Sequence, residues 1–404
     1  MTGWQERWQE RWQAALMDNY GTPPVRLVRG SGSRVWDDTG VEYIDLIAGI
    51  AVNSVGHAHP RYVEAVSAQL STLGHTSNLY ATEPAMALAE RLIALAGTSP
   101  DARVFFCNSG AEANEAAFKI TRLTGRAQIV VAAGSFHGRT MGALALTAQP
   151  AKQDPFRPLP GEVTVVPYGD EAALREAVSE RTAACLLEPI QGEGGVIVPP
   201  DGYLAAARQI CDESGALLVL DEVQTGVGRT GWWFAHQRDA VVPDIMTLAK
   251  GLGGGLPIGA VLARGRAASL LKPGSHGSTF GGNPVVAAAA LSVLDIIEDE
   301  GLLARASTIH ERLSADLVHS SNGLVDHVRG RGLLMGAVLT GDHAQLVERS
   351  ARSSGLLVNA IGSRVVRLAP ALTIDDADID ETLLRWERAL EVAASQAGSM
   401  SEAR

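Results

Sequence analysis

Leu217 to Leu256 reads LLVLDEVQTGVGRTGWWFAHQRDAVVPDIMTLAKGLGGGL, and the two ends of this stretch set the fold and the chemistry. Ala216 to Leu220 is an apolar run of the length expected of a fully buried strand, and it ends on Asp221. A carboxylate there stands at the C-terminal end of a strand. Open α/β sheets bind their ligands along those ends, so Asp221 is positioned to meet a cationic group of a bound molecule. At the far end, Lys250 is followed by Gly251, Gly253, Gly254 and Gly255. So little side-chain bulk lets a lysine be approached closely, and a desolvated lysine of lowered pKa can attack a carbonyl to form a Schiff base.

A carboxylate together with a glycine-flanked lysine suggests pyridoxal phosphate (PLP), whose enzymes pair a Schiff-base lysine with an aspartate at the pyridinium nitrogen. Taken singly, Asp221 reads as well as a solvated or helix-capping residue, and Lys250 alone says no more. Gly226, Gly228 and Gly231 also match the dinucleotide pattern G-x-G-x-x-G. That pattern needs a glycine turn opening directly into a helix, whereas here Trp232, Trp233 and Phe234 follow and the strand ends several residues too early. A P-loop fails because Lys250 precedes its glycines.

The 404 residues suffice for a large domain and a smaller one, and 46% hydrophobic with 20% charged residues is the balance of a globular enzyme. A net charge of -11 argues against a nucleic-acid surface. Anionic ligands must then be caught by local arginines and backbone N–H groups. Cys107, Cys185 and Cys211 are widely spaced and odd in number, which reads as buried thiols of a reducing cytosol with neither disulfide nor metal spacing. The N-terminal region lacks the apolar segment of a signal peptide, and the run from Val285 to Leu291 is too short to span a bilayer. A cytoplasmic protein without membrane contact is expected.

Along the chain, Trp4, Trp8 and Trp12 of WQERWQERWQ lie on one helical stripe suited to packing. Arg34 to Leu46 alternates as a hairpin turning at Asp38-Thr39-Gly40. His57, His59 and His75 lack metal-binding spacing and partner acids, so no metal is expected. A helical pattern over Arg61 to Leu95 is broken by HTSNLYATEP, and a strand Arg103 to Cys107 leads into Asn108-Ser109-Gly110-Ala111 and a helix. Ser109 and Gly110 at that helix start aim orphan N–H groups at an anion, or Ser109 is a plain N-cap. After a strand at Gln128 to Ala132, Phe136 can stack on a planar ring and Arg139 can grip a carboxylate; a core aromatic beside a solvated arginine is the alternative. Strands at Val163 to Val166 and Ala184 to Pro189, the latter leading into IQGEGGV with Glu193, continue the alternation of helix and strand. That alternation predicts a largely parallel sheet with helices on both faces. Another strand is expected at Ala260 to Ala263. The loop GSHGSTFGGNP from Gly274 offers Ser278 and Thr279 as phosphate donors, or is simply a loop. Beyond Val285 the pattern shifts to long helix, broken near Gly301, and then to short strands of an α+β unit. The expected division is 1–60 as an N-terminal segment joining the small domain, 61–290 as the large domain and 291–404 as the C-terminal small domain.

Taken as an ordered set, Ser109-Gly110-Ala111, Phe136-His137-Gly138-Arg139, Asp221-Glu222-Val223-Gln224, Lys250 and Ser278-Thr279 resembles the class III PLP-dependent aminotransferases of fold type I. The likeness runs from Gly49 to Leu372. The segments GIAVNSVGHAHP, HTSNLYATEP, FHGRT, EPIQGEGGV, DEVQTGVGRTG and GLLVNA are most similar to the branch that works on N2-acetylornithine. The resemblance implies a large domain with a mostly parallel sheet, a smaller α+β domain, and an obligate homodimer sharing its active sites.

It also implies roles. Lys250 would hold PLP as a Schiff base and shuttle a proton between the substrate carbon and C4′. Asp221 would keep the pyridine nitrogen protonated, Gln224 would bond the ring hydroxyl, and Phe136 would stack on the ring. Ser109, Gly110, Ala111, Glu222, Val223 and Thr279 would complete the cofactor site, Gly110 and Ala111 through N–H groups on the phosphate and Thr279 from the other subunit. Arg139, with Ser278 nearby, would take the substrate α-carboxylate, and Arg367 the near carboxylate of glutamate. Glu193 would mask Arg367 until 2-oxoglutarate arrives; an ordinary surface ion pair worth about 0–1 kcal/mol is the alternative. Ornithine aminotransferases carry a tyrosine where this chain has Gly49, and a glycine leaves room for an acyl group on the α-nitrogen. The implied reaction moves the terminal amino group of N2-acetylornithine to 2-oxoglutarate. A relative acting on succinylornithine, succinyl-diaminopimelate, ornithine or 4-aminobutyrate stays open.

Overall fold

The computed structural model describes residues 8–97 and 100–402. Trp4 lies outside the described residues; Trp8 and Trp12 fall on the helix Trp8–Ala15, and the Trp12 indole N–H donates to the Gly21 carbonyl at 2.9 Å.

A seven-stranded sheet forms the centre. Its order is Arg103–Cys107, Gly259–Ala263, Ile245–Leu248, Leu217–Asp221, Thr182–Leu187, Gln128–Ala132 and Glu162–Val166. The last five strands run parallel, while Gly259–Ala263 is antiparallel to both its neighbours. Every residue of Leu217–Asp221 and Thr182–Leu187 is buried, which is why these strands read as continuous apolar runs with no alternation. Full burial of each Leu or Val there contributes about 1.5–3 kcal/mol. Helices cover both faces. Gly110–Arg122 packs Ala113, Ala116, Ala117 and Ile120 on one side, and Tyr203–Ser214 packs Leu204, Ala207 and Ile210 on the other. Cys107, Cys185 and Cys211 are buried and free within these layers.

Two smaller sheets flank the centre. The hairpin strands Arg34–Asp37 and Glu42–Asp45 join Leu27–Ser31 and, in parallel, Leu356–Leu357 from far along the chain. The other sheet orders Val325–Arg331, Leu334–Leu339, Val365–Leu368 and Asn359–Ile361. Between centre and C-terminal sheet run the helices Pro284–Asp299 and Leu302–His319, separated at Gly301, whose φ of +64° only glycine adopts readily. Arg229, leaving the loop after the Asp221 strand, is buried and donates to the carbonyls of Leu333, at 3.1 Å, and Pro370. Among the described residues no helix is long and apolar enough to cross a membrane.

Candidate active site

The C-terminal ends of the parallel strands open on a cavity of about 420 Å³. Its lining brings together Ser109, Gly110, Ala111, Phe136, Arg139, Glu193, Asp221, Val223, Gln224 and Lys250, residues spread over more than a hundred positions of sequence.

Asp221 is fixed from three sides. Its Oδ2 accepts from Asn114 Nδ2 at 2.8 Å and lies 2.7 Å from His137 Nδ1, and its Oδ1 accepts the Val223 N–H at 3.0 Å. Asn114 is oriented in turn by Thr247, which donates to its Oδ1 at 2.9 Å and stands opposite Asp221 in the sheet register. All of these side chains are buried. The carboxylate therefore has one geometry, set by strand pairing and by the helix Gly110–Arg122.

Lys250 leaves the short strand Ile245–Leu248 through a left-handed backbone, φ +45°. Gly251 packs so tightly that a Cβ would lie 2.5 Å from Ser54 Oγ, which explains why glycine follows the lysine. Burial, joined by the Arg367 charge, brings the Lys250 amine down to about 8 against the opposing pull of Glu193, Asp221 and Glu188. It therefore offers a neutral, nucleophilic fraction near neutral pH.

At the opposite end, Arg367 projects from the strand Val365–Leu368. It is only 3% exposed, so it is no surface ion-pair partner. Its Nη1 donates to Glu193 Oε1 at 2.6 Å and to Gln224 Oε1 at 3.2 Å, and its Nη2 donates to Asn359 Oδ1 at 2.7 Å. Burial pushes the Glu193 carboxyl up, but the charge and hydrogen bond of Arg367, aided by Lys250 and Lys152, hold it below the ordinary range. Arg139 is exposed at the mouth, its guanidinium carbon 5.5 Å from the Phe136 ring centroid, with Lys152 Nζ at 5.6 Å from the same ring.

Ser109 caps the helix Gly110–Arg122 by accepting the Glu112 N–H at 3.2 Å. The N–H groups of Gly110 and Ala111, at the first helical positions, belong to the orphan donors of that end. A Cβ on Gly110 would approach Val223 Cγ1 to 2.7 Å, so the cradle requires glycine.

Four residues of the sequence-based set fall outside this lining: Arg367, which lies behind Glu193 and Gln224, and Glu222, Ser278 and Thr279. Glu222 is engaged by the following loop, its carboxylate accepting the Thr225 hydroxyl and the N–H groups of Ala235, at 3.1 Å, and His236, at 2.9 Å. Ser278 accepts from Asn108 Nδ2 at 3.1 Å, and Thr279 is exposed. Conversely, the lining includes Asn114, His137 and Glu188, to which sequence reasoning assigns no role. The rule that singles out Asp221, a carboxylate closing a buried strand, applies equally to Glu188.

A fold with a parallel sheet of this order, and a cavity pairing a buried carboxylate with a lysine, define an aminotransferase of the PLP-dependent kind. The sequence profile described as Aminotransferase class-III matches residues 16–390, and the chain belongs to that family. The acetylornithine aminotransferase of Mycobacterium tuberculosis is 63% identical over 367 residues, covering 91% of this chain and 92% of its own. That of Streptomyces coelicolor is 61% identical, covering 91% of each. Among solved structures, an N-acetylornithine aminotransferase from Stenotrophomonas maltophilia aligns with a TM-score of 0.82 at 40% identity, over 94% of this chain and 99% of the other. An ornithine aminotransferase from Toxoplasma gondii aligns with a TM-score of 0.91 at 33% identity, over 96% and 95%.

The cofactor of this family is PLP, and the donor set fits it. A pyridine nitrogen calls for a buried carboxylate, a flat ring for an aromatic neighbour, a phosphate for free N–H groups at a helix start, and an aldehyde for an amine of lowered pKa. Asp221, Phe136, Gly110 with Ala111, and Lys250 supply these groups around one cavity.

Proposed function

We propose that this chain transfers the terminal amino group of N2-acetyl-L-ornithine to 2-oxoglutarate, giving N-acetyl-L-glutamate 5-semialdehyde and L-glutamate, a step of arginine biosynthesis. The observation that carries the proposal is a pair of arginines: Arg139 open at the mouth of the cavity, and Arg367 buried behind its wall and covered by the lining residue Glu193 at 2.6 Å. One substrate presents a single carboxylate far from the reacting amine, and the other presents two. A site serving both needs one permanent and one removable cation. The names of the relatives support the same substrate, as does Gly49, where a tyrosine would crowd an acyl group.

PLP, when bound, supplies a carbonyl for the amine and a ring that withdraws electrons from the reacting carbon. Lys250 Nζ would take the proton from the substrate's amine-bearing carbon and deliver it to C4′, the cofactor's aldehyde carbon on the other side of the shared nitrogen, a transfer its lowered basicity would suit. Asp221, held by His137 and Asn114, would keep a proton on the ring nitrogen. Gln224 would bond the ring hydroxyl, Phe136 would cover the ring face, and Gly110 and Ala111 would bind the phosphate. Arg139 grips the far carboxylate in both half-reactions; Arg367 takes the near carboxylate of glutamate and 2-oxoglutarate once Glu193 withdraws.

Thr279 is assigned to the neighbouring protomer's site in a homodimer, and Ser278 to the surroundings of the substrate carboxylate that Arg139 binds. Thr279 is exposed beside Phe280, and the exposed Leu79 and Tyr80 lie close by, tethered through the Asn78 side-chain bond to the Gly281 carbonyl at 3.0 Å. That surface is apolar enough to seek a partner. Residues 61–290 form the cofactor-binding unit of this scheme, and residues 1–60 with 291–404 the smaller one.

Steady-state kcat/KM for acetylornithine against succinylornithine, succinyl-diaminopimelate, ornithine and 4-aminobutyrate tests the substrate. Acetylornithine should lead by at least about tenfold, the discrimination one well-fitted group supplies; a lead for free ornithine or 4-aminobutyrate would overturn it. Borohydride reduction of the holoenzyme should leave a pyridoxyl group on Lys250, and a label on another lysine would refute its role.

A further inference from the structure

Glu188 lines the cavity yet takes no part in the steps above. It follows the buried strand Thr182–Leu187, and its two carboxylate oxygens reach into different loops. Oε1 accepts the N–H of Phe136 and Oε2 the N–H of Gly192, each at 3.0 Å. The first loop carries the ring at the cavity. The second carries Glu193, one residue beyond the contact. That second turn is closed at its base, where Gln191 and Ile197 exchange N–H···O bonds of 3.0 and 2.9 Å. Just beyond that base Gly192 lies against Gln224, since a Cβ there would lie 2.0 Å from Gln224 Oε1, the oxygen that also accepts from Arg367. Gln191 Nε2 anchors the base to the Ala133 carbonyl at 2.8 Å and Arg329 Nε anchors the far limb at the Gly195 carbonyl at 2.9 Å, while Glu188 holds the limb that leads directly into Glu193.

We propose that Glu188 is a positioning residue whose ionised carboxylate holds the Glu193 turn where it covers Arg367, and whose protonation loosens the turn so that Arg367 opens. The proposal rests on the two-substrate exchange described above. An ionised carboxylate accepts hydrogen bonds at both oxygens, whereas in the neutral acid one oxygen carries a hydrogen that needs an acceptor of its own. The N–H contact at the protonated oxygen is then much weakened, because a hydroxyl oxygen is a far poorer acceptor than a carboxylate oxygen.

The charged surroundings place this change within the working range. Burial comes first and the like charge of Asp221 on the adjacent strand adds to it, pushing Glu188 up to about 7 against His137 and the two N–H bonds. Lys250 faces the same carboxylate, and the Tyr168 hydroxyl donates to the Glu188 backbone carbonyl at 2.8 Å. Glu193 and Arg367 lie beyond the turn, and Arg139 at the mouth. Below that pH the acid is neutral and the turn loosened; above it the carboxylate is ionised and the turn held.

Hydrogen–deuterium exchange of the holoenzyme over residues 189–196, normalised to intrinsic rates, tests this directly. Protection should fall about tenfold from pH 8 to pH 6, the worth of one hydrogen bond to a charged acceptor. Glu188→Gln retains a single accepting oxygen and should show low protection at both values. In single turnovers, the rate with 2-oxoglutarate relative to that with acetylornithine should fall between pH 6 and 8 in the native protein and stay flat in the variant. Protection independent of pH in the native protein, or a Glu188→Gln profile that follows the native one through His137, would overturn the proposal. Should the variant fail to fold, the native exchange profile decides. The exchange measurement involves no substrate, so failure with acetylornithine would count against the proposed substrate alone.

Discussion

At each end of the site a charged side chain is held by a partner, and the two arrangements are built in opposite ways. At one end Asp221 and His137 are almost wholly enclosed, and Asp221 draws partners from its own strand's loop, from a helix and from the loop after Gln128–Ala132, two places away in the sheet. At the other end Arg367 is enclosed, but Glu193 keeps 28% of its side chain exposed and reaches across from a turn of the central sheet to a strand of another sheet. On the proposed mechanism, the charge required through the whole cycle is the one locked by redundant bonds, and the charge required for half of it is the one covered by a partner with solvent on one side.

The contrast can be broken most sharply at Asp221. Asp221→Ala should slow both half-reactions alike, by about a thousandfold or more, because preorganised charge at the reacting ring is lost from each; single-turnover rates check this, and an effect confined to KM would remove the distinction. Lys250, between the two ends, sharpens it through stability. With its amine at about 8 in the folded protein and 10.5 ordinarily, the positive charge is disfavoured only in the folded state. The cost is complete below pH 8 and vanishes as pH rises toward 10.5. Cofactor-free Lys250→Met should therefore be more stable than the native apoprotein by up to about 3 kcal/mol at pH 7, at about 1.4 kcal/mol per pKa unit. Urea unfolding at pH 7 and pH 10 should show the advantage shrinking.

At the Arg367 end the effects should split. Arg367→Ala should slow the 2-oxoglutarate half-reaction about a hundredfold, the loss of one buried charge-assisted contact, and largely spare the acetylornithine half. Equal losses in both halves would make the two ends functionally alike. The smallest change is expected from Glu193→Ala, which uncovers Arg367 and should raise the reaction with glutamate relative to acetylornithine by about tenfold. Competition between the two amines in one assay measures it.

What the sequence discloses follows the same division. Buried strands and their closing residues are legible because full burial demands unbroken apolar runs; Arg103–Cys107 and Gln128–Ala132 are read to the residue. The hairpin at Asp38-Thr39-Gly40 and the break at Gly301 are legible through turn chemistry. The strand Ile245–Leu248 escapes notice because Thr247 interrupts its apolar run, and the reversed direction of Gly259–Ala263 leaves no trace in its composition. The residues holding Asp221 are invisible for another reason. Asn114 sits on a helix and His137 in a loop, and only the sheet register that sets Thr247 opposite Asp221 brings them to one carboxylate. Glu222, adjacent to Asp221 in sequence, faces a different loop because successive residues of an extended chain point to opposite sides.

The left-handed backbone at Lys250 has a consequence for anyone selecting this protein for robustness. A side chain there costs about 1–2 kcal/mol that glycine would not. Together with the disfavoured charge, this makes the position proposed to carry the chemistry one at which almost any screen for heat tolerance alone rewards loss of the native residue. Glycine should be the most durable replacement, and a library ranked without a turnover assay should converge on a sturdier, inert protein.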